Sequence, residues 1–402
     1  MVVYLSTMYK RNELQLRVGI FFASASLSGA FGGLLAYGIE MMEGVSGHKG
    51  WQWVFFLEGI GTVLIAGFAL FYLPASLDKA SFLTPEERAF AVARLKFVPK
   101  LNAQPALALE APESSISSSD QAEATLDDKT APTPRDPTKF EKERHLPLLD
   151  SDGKVLDPSG DTHTAEKFEM YEVIRGFKEP QVWLTGIGYM SLCVGLYSYS
   201  LFLPSIVAGM GYHGTQAQLY SSFPYLPASG LVVIVAFAAD KLQLRGPMVV
   251  MLLPLTIIGY ILGLVATTNT VRYVGVFFMA AGIYPSVPSI LCILPNNTAG
   301  LTKRSVTTAL QLMIANCAGF IATFIYTSDQ APQYKKGHSI ALAFTCLAWL
   351  MLGSNSVYCA WENKARAAGR RDSNVQKYQD LVQKGITSAP IGDRAPNFKL
   401  TL

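Results

Sequence analysis

Val182-Trp-Leu-Thr-Gly-Ile-Gly-Tyr-Met-Ser-Leu-Cys-Val-Gly-Leu-Tyr-Ser-Tyr-Ser-Leu-Phe-Leu-Pro-Ser-Ile-Val-Ala208 opens a stretch that reaches Ala239 without one Asp, Glu, Lys or Arg. A water-soluble fold cannot keep charge off so long a run, whereas a helix crossing hydrocarbon must. Roughly 20 helical residues span the ~30 Å core of a bilayer. Working outward, the chain offers eight such runs, at about Val18 to Ile39, Trp53 to Leu73, Val182 to Ala208, Leu219 to Ala239, Pro247 to Thr268, Tyr273 to Leu294, Ser305 to Tyr326 and Ile340 to Ala360. Their length and lack of alternation exclude barrel strands, and a lipid-exposed backbone must satisfy its own hydrogen bonds, so all eight are expected to be helices. The expected fold class is all-α membrane.

Composition agrees. Half of the 402 residues are hydrophobic and 16% are charged, against about a quarter in soluble proteins. A net charge of +3 with no basic-aromatic face argues against nucleic acid as a partner. Cys193, Cys292, Cys317, Cys346 and Cys359 sit in apolar runs without a CxxC pair and read as small packing residues. His48, His145, His163, His213 and His338 fall in segments read as connections, none at ligand spacing, so neither metal nor cofactor is expected. No GxSxG, HExxH, P-loop or intramembrane acid pair is present, which points away from an enzyme. The first apolar run has no A-x-A-like site leading into a soluble domain, so no cleavable signal peptide is expected.

Basic residues fix the expected orientation. Lys10, Arg11 and Arg17 precede the first span, Lys241 and Arg245 follow the fourth along with Asp240, Lys303 and Arg304 follow the sixth, and Lys364, Arg366, Arg370 and Arg371 follow the eighth. The positive-inside rule places these loops and both termini in the cytoplasm. The opposite connections are poorer in basic residues, although His48-Lys49, Arg272 and Lys335-Lys336 soften the contrast. Trp51 and Trp53 suit the outer interface, and the sequon Asn296-Asn297-Thr298 is expected to stay unglycosylated on the inner side.

Residues 74–181 form the one long connection. Their centre, with Ser114 to Ser119 and the Pro-rich Ala131 to Pro137, reads as a disordered linker. Thr84-Pro85-Glu86-Glu87 carries an N-cap, a first-turn proline and acids, predicting a short helix through Arg88 and Arg94. Phe168 to Phe177 mixes apolar and charged residues and suits the inner membrane surface, with a solvated helix as the alternative. The organisation expected is a first part over 1–73, a linker over 74–181, a six-helix part over 182–360 and a polar cytoplasmic tail over 361–402, whose basic cluster serves as a topology anchor or touches anionic lipid.

Polar groups inside spans are costly and are kept for packing or for a substrate path. Glu58, in Trp53-Val-Phe-Phe-Leu-Glu-Gly59, is the one carboxylate well inside a span. It is a proton-coupling candidate, with a simple pairing to a neighbouring polar group as the alternative. Ser24, Ser28, Gly32 and Ala36 recur every four residues beside a Gly29/Gly33 pair, a spacing that suits close helix packing. Thr308, Gln311, Ala315, Gly319 and Ala322 share a face with Asn316 at its edge, which either packs or lines a cavity. Tyr197, Ser198, Tyr199 and Ser200 precede Pro204, expected to kink the third span, and suit a cavity or an interhelical bond. Pro224 with Pro227, and Pro285 with Pro288, predict broken helices.

Further stretches carry a family resemblance. Tyr4 to Arg17, Gly29-Ala-Phe-Gly-Gly33, Trp51-Gln-Trp-Val-Phe-Phe-Leu-Glu-Gly59, Leu83-Thr-Pro-Glu-Glu-Arg88 with Arg94, and Asn296-Asn-Thr-Ala-Gly-Leu-Thr-Lys-Arg304 are joined by Asn316 with Gly319, Ala331-Pro-Gln-Tyr334, Gly337, Glu362 to Asp372 and Gly392-Asp-Arg-Ala-Pro-Asn-Phe398. Together they closely resemble the fungal anion:cation symporters of the major facilitator superfamily, the allantoate, nicotinate, pantothenate and biotin permeases. Outside the linker the likeness covers nearly the whole chain. Met8 and Ile293 depart from it, standing where the family often has Trp, and the linker is longer than the family's.

The resemblance implies a twelve-span plan in which these eight helices are spans five to twelve, with spans one to three and nearly all of four missing. It implies a substrate site between two six-span halves and alternating access by rocking one half against the other. The function expected is proton-coupled uptake of small organic anions such as vitamin- or allantoate-like carboxylates across the plasma membrane. Glu58 is the proton candidate, Tyr197, Tyr199, Gln311 and Asn316 are the path candidates, and no oligomer is implied. The alternatives are a non-transporting membrane fragment that binds other membrane proteins and, last, a membrane enzyme.

Overall fold

The structure is a computed structural model that describes residues 2–9, 13–40, 42, 44–74, 76, 79–80, 82–96, 168–212, 214–387, 389 and 391–402. The expected disordered centre of the linker lies outside the described residues, as do His145, His163 and His213. The chain divides into two compact units, residues 74–162 and the remainder.

In the first of these units the described helix is the one announced at Thr84. The Thr84 hydroxyl accepts the Glu87 N–H at 3.3 Å and the Glu87 carboxylate accepts the Thr84 N–H at 3.0 Å. This reciprocal capping box satisfies two donors that a helix start would otherwise leave open.

The larger unit is helical throughout its described regular structure. In chain order the α-helices among the described residues are α1 (Val2–Met8), α2 (Leu14–Glu40), α3 (Gly50–Tyr72), α4 (Pro85–Lys96, in the smaller unit), α5 (Met170–Lys178), α6 (Pro180–Ala208), α7 (Thr215–Ser222), α8 (Tyr225–Leu242), α9 (Arg245–Val265), α10 (Asn269–Asn297), α11 (Leu301–Asn316), α12 (Ala318–Ile325), α13 (Lys335–Ala367) and α14 (Ser373–Gln383). Among the described residues, eight segments are long and apolar enough to cross a membrane, with α7–α8 and α11–α12 each forming one of them. Each falls on a run expected from sequence.

Burial grades across these spans. In α10, 78% of the apolar window is buried, in α3 none of it. Thus α10 is the central helix of the unit, touching α2, α6, α8, α9 and α11, while α3 lies along α2 with Phe55, Val63, Leu70 and Phe71 facing outward. Among the tightest pairs is α9 with α10, where Gly259 and Gly275 face each other and a Cβ on either would lie within 2.9 Å of the other's carbonyl oxygen. Only glycine permits that approach.

The prolines behave differently from expectation. Pro224 does mark a break, since α7 ends at Ser222 and α8 begins at Tyr225. Pro285 and Pro288, however, lie inside an unbroken α10, together with Pro295. A proline removes one donor and leaves the carbonyl four residues earlier without its helical partner, but a helix packed on several sides is held by its neighbours. Two more expectations change. His338 is not in a connection: it sits in the first turn of α13, 4% exposed, with its Nδ1 2.9 Å from the Tyr326 hydroxyl. Of the cysteines, Cys193, Cys292 and Cys359 are buried as packing residues, whereas Cys317 is exposed at the α11–α12 junction.

Candidate functional site

A cavity of about 480 Å³ opens where α2 meets α6, α7, α8 and α10, within the range of small-molecule sites. One wall is the small-residue side of α2, with Ala25, Ser28, Gly29, Gly32 and Gly33. Facing it are Tyr197 and Ser200 of α6, Gln218 and Ser221 of α7, Tyr225 of α8 and Tyr284 of α10. The lining offers hydroxyls, one amide and aromatic faces, and none of its residues is ionisable at neutral pH as a carboxylate or a cation.

The small residues of α2 divide the work between two stripes. A Cβ on Gly29 would meet the Tyr225 ring at 2.9 Å and one on Gly33 the Ser222 hydroxyl at 2.3 Å, so these two carry the close packing against α7 and α8. Gly32 has open space on its free side, and Ser24 and Ser28 are exposed, their hydroxyls turned back to the carbonyls of Phe21 and Ala25. The packing expected of Ser24, Ser28 and Gly32 is therefore made by the neighbouring stripe, and Ser28 and Gly32 border the cavity instead. Side chains four apart define a face only to within about one residue's rotation, and tertiary contact chooses which face is used.

Behind the lining, Tyr199, Tyr225 and Tyr284 meet edge to face, with ring centroids 5.5–6.2 Å apart. Such T-shaped contacts are favoured by the ring quadrupole. Tyr284 OH lies 3.0 Å from the Ser200 hydroxyl, and Tyr199 OH donates to the Val276 carbonyl at 3.3 Å. Of the four expected path residues, Tyr197 lines the cavity and donates to Asn316 Oδ1 at 3.2 Å. Asn316 is exposed and is joined to the cavity through that bond. Tyr199 is enclosed behind Tyr225 and Tyr284. Gln311 is turned to α10, where its amide donates to the Ile290 carbonyl at 3.4 Å, and it does not reach the cavity. Tyr225, Tyr284 and Gln218 gave no sequence signal, because it is tertiary packing that brings α7 and α8 together with the sequence-distant α10. Glu58 is exposed on α3, outside the cavity lining.

At one end of the bundle the residues read as loop motifs are buried. Arg245 is 0% exposed, Lys303 1%, Asn296 1% and Asn297 2%. Asp240 and Arg245 form an ion pair at 3.3 Å, the Asp240 carboxylate also accepts the Leu16 N–H at 2.7 Å, and Arg245 Nε donates to Gln15 Oε1 at 2.9 Å. Gln15 in turn donates to Ser289 at 2.5 Å. This chain of bonds ties the start of α2 to α8, α9 and α10, and Gln15 was missed as a site residue because a lone Gln at a helix start carries no pattern. Arg304 reaches the carbonyls of Ser6 and Thr298 at 3.4 Å, linking α1 to the α10–α11 turn. Asp240, Arg245, Asn296, Asn297, Lys303 and Arg304 thus lie inside helix ends rather than in loops, and Arg245 and Lys303 tolerate burial because each is paired with a carboxylate.

On the side of this end, α5 presents Phe168 before it, then Met170, Ile174 and Phe177, to the outside. Its Glu172 and Gly176 are buried against the protein, so the apolar face points away from the bundle.

The family model of the Major Facilitator Superfamily matches residues 1–354. An uncharacterized transporter of Schizosaccharomyces pombe is 30% identical over 401 residues, covering 100% of this chain and 66% of its own length. A second from the same yeast is 29% identical, over 99% of this chain and 66% of its own. The high-affinity nicotinic acid transporter of Saccharomyces cerevisiae is 25% identical over 397 residues, 99% of this chain and 62% of its own. The chain thus spans 62–66% of the length of these curated relatives. With eight apolar helices and a family match over most of its residues, this chain is a multi-pass integral membrane protein, not an enzyme, and belongs to the Major Facilitator Superfamily.

Proposed function

We propose that this chain takes part in moving small organic anions across the membrane, as a member of the fungal anion:cation symporter group, by alternating access coupled to protons. The observation that carries the reading is the 480 Å³ cavity between α2 and the helices from α6 onward, lined by Tyr197, Ser200, Tyr225, Tyr284 and Gln218. Hydroxyl and amide groups on an aromatic wall suit a small, partly apolar solute with a few polar atoms. The nicotinic acid transporter among the relatives supports a carboxylate of that size. In this reading residues 1–73 and 182–360 belong to two halves joined by the 74–181 linker. The Asp240–Arg245–Gln15 chain closes the path at its own end, which we place in the cytoplasm with both termini, and α3 brings Glu58 as the proton carrier. Tyr197 and Asn316 border the path, while Tyr199 and Gln311 hold the wall behind it. The plasma membrane is the proposed location.

Uptake of labelled nicotinate and other small carboxylates, by cells lacking such uptake and expressing this chain or a form lengthened to match the relatives, tests the proposal. Saturable uptake that rises at acid external pH is expected. Absence of uptake from both forms defeats it for these substrates.

A second reading, a membrane component that acts by binding other membrane proteins, draws on α3, whose apolar window is wholly unburied. Co-purification of a stoichiometric membrane partner without any uptake by either form would favour it.

A further inference from the structure

The late stretch Ile391-Gly-Asp-Arg-Ala-Pro-Asn-Phe-Lys-Leu-Thr-Leu402, read from sequence as part of a polar tail, folds back onto the ends of five helices. Its first anchor is electrostatic. Asp393, 7% exposed, accepts hydrogen bonds from Lys303 of α11 and from Arg175 of α5, the latter at 2.7 Å. Arg175 and Arg394 both pair with Glu172 at 2.6 Å, and Lys303 also pairs with Glu179 at 2.8 Å. Three cations, Arg175, Lys303 and Arg394, thus meet three anions, Glu172, Glu179 and Asp393, so the enclosed cluster is neutral. Arg394 also lies over the rings of Tyr171 and Tyr378.

Its second anchor reads backbone. Arg366 of α13 donates to the carbonyls of Asp393, Ala395 and Phe398 at 2.9–3.3 Å. Asn363 accepts the Leu400 N–H and donates to the Leu400 carbonyl, both at 2.8 Å. Asn297 does the same for Thr401, at 2.8 and 3.1 Å, and the Arg245 N–H meets the Leu402 carbonyl at 2.7 Å. Two amide side chains that each satisfy both polar groups of one residue treat the segment as a neighbouring strand would. Gly392 enters with φ +55°, and a Cβ there would lie 2.9 Å from Ala299. A left-handed, tightly covered position of this kind accepts only glycine without strain.

We propose that the ends of α5, α9, α10, α11 and α13 form a docking groove for an extended peptide with an acidic anchor, and that residues 391–402 occupy it in cis. The groove supplies a cationic pocket for one carboxylate, made by Lys303 and Arg175, followed by backbone-reading Arg366, Asn363 and Asn297. Docking holds α5, the exit of the long linker, to α11 and α13. This assignment stands on the groove alone and is independent of the transport reading.

The test uses a fluorescein-labelled synthetic peptide of the 391–402 sequence and the full chain in detergent. In the wild type the groove is filled by its own tail, at high effective concentration. Asp393→Ala removes the acidic anchor from the cis segment, so the free peptide should bind this variant at least about tenfold more tightly than the wild type, given the large cost of losing one partner of a buried pair. Binding to neither protein, or equal binding to both, overturns the proposal. Asn363→Ala leaves the ion cluster whole and covers the case in which Asp393→Ala does not fold. Hydrogen exchange of the peptide fragment holding Leu400 should then quicken by at least about tenfold while the fragment around Asp393 keeps its rate. Unchanged exchange at Leu400 overturns the backbone-reading role.

Discussion

The Trp349 indole N–H donates to the carbonyl of Val250 at 3.0 Å, and Val250 is the residue four before Pro254 in α9. Proline has no N–H, so that carbonyl has lost its helical donor, and α13 supplies a substitute from across the helix pair. Trp349→Phe should therefore lower stability in detergent by about 0.5–1.5 kcal/mol. In a Pro254→Ala background, where the backbone N–H returns, the same change should cost distinctly less. Thermal melts of the four proteins in the cycle measure this, and equal costs in both backgrounds would show that the bond has no compensating role.

Gly32 and Gly33 are neighbours with opposite duties. Gly33 is closed by Ser222, whereas Gly32 faces open space beside the cavity. Gly33→Ala should destabilise by about 1–3 kcal/mol through overpacking, and Gly32→Ala should leave the melting temperature unchanged or slightly raised. Gly32→Leu should keep the fold yet narrow the cavity, so any solute uptake should fall without a matching loss of stability. Equal melting temperatures for Gly32→Ala and Gly33→Ala would remove the distinction.

What the sequence showed and what it hid divide along physical lines. A membrane span is a local property, since twenty apolar residues read the same in any surroundings, and all eight were legible. The rest depended on partners. Pro285 and Pro288 read as breaks because their cost is local, but their tolerance comes from the helices packed around α10. Arg245, Lys303 and Asn297 read as loop residues because charge and amide groups usually are, yet Asp240, Asp393 and Thr401 receive them inside. Tyr225 and Tyr284 became a wall through tertiary contact alone, and Gly392 to Phe398 stood out in the sequence only as part of a family resemblance, with nothing local to show what Asp393 would bond.

Gln15 joins α2 to the rest of the bundle by bonding Arg245 through its oxygen and Ser289 through its nitrogen. Gln15→Leu keeps the approximate volume but removes a partner from each, which should cost about 1–3 kcal/mol in unfolding stability. Gln15→Glu retains an acceptor for Arg245 and should cost less. A melt in which the leucine variant matches the wild type would show that the bridge contributes nothing.

The tail groove has its own dependence on pH. Burial pushes the Asp393 carboxyl up, but the charges of Lys303 and Arg175 outweigh it and hold the group below its ordinary value of 3.8. A depressed folded value means that its contribution to docking is complete above the unfolded value and is lost as the pH falls through the folded one. Arg175, lowered by its own burial but raised more by Asp393 and Glu172, stays charged throughout. On the account of Asp393, tail exchange should then be the same at roughly pH 8 and pH 5 once intrinsic rates are corrected, with release only in stronger acid. Release on moving between those two values would assign control to another group.

Glu58 offers the sharpest test of proton coupling. It sits exposed on α3, outside the cavity lining, so its proposed role is to carry a proton and not to hold the solute. An amide in its place has no proton to exchange, so Glu58→Gln should separate two activities that a general defect would lose together. Exchange of internal for external solute needs no net proton movement and should persist. Accumulation driven by a pH gradient, worth up to about tenfold per pH unit for one proton per solute, should vanish. If the variant still accumulates solute with the wild-type dependence on pH, Glu58 is not the carrier. If exchange is lost as well, its part is in holding the helix and not in moving the proton.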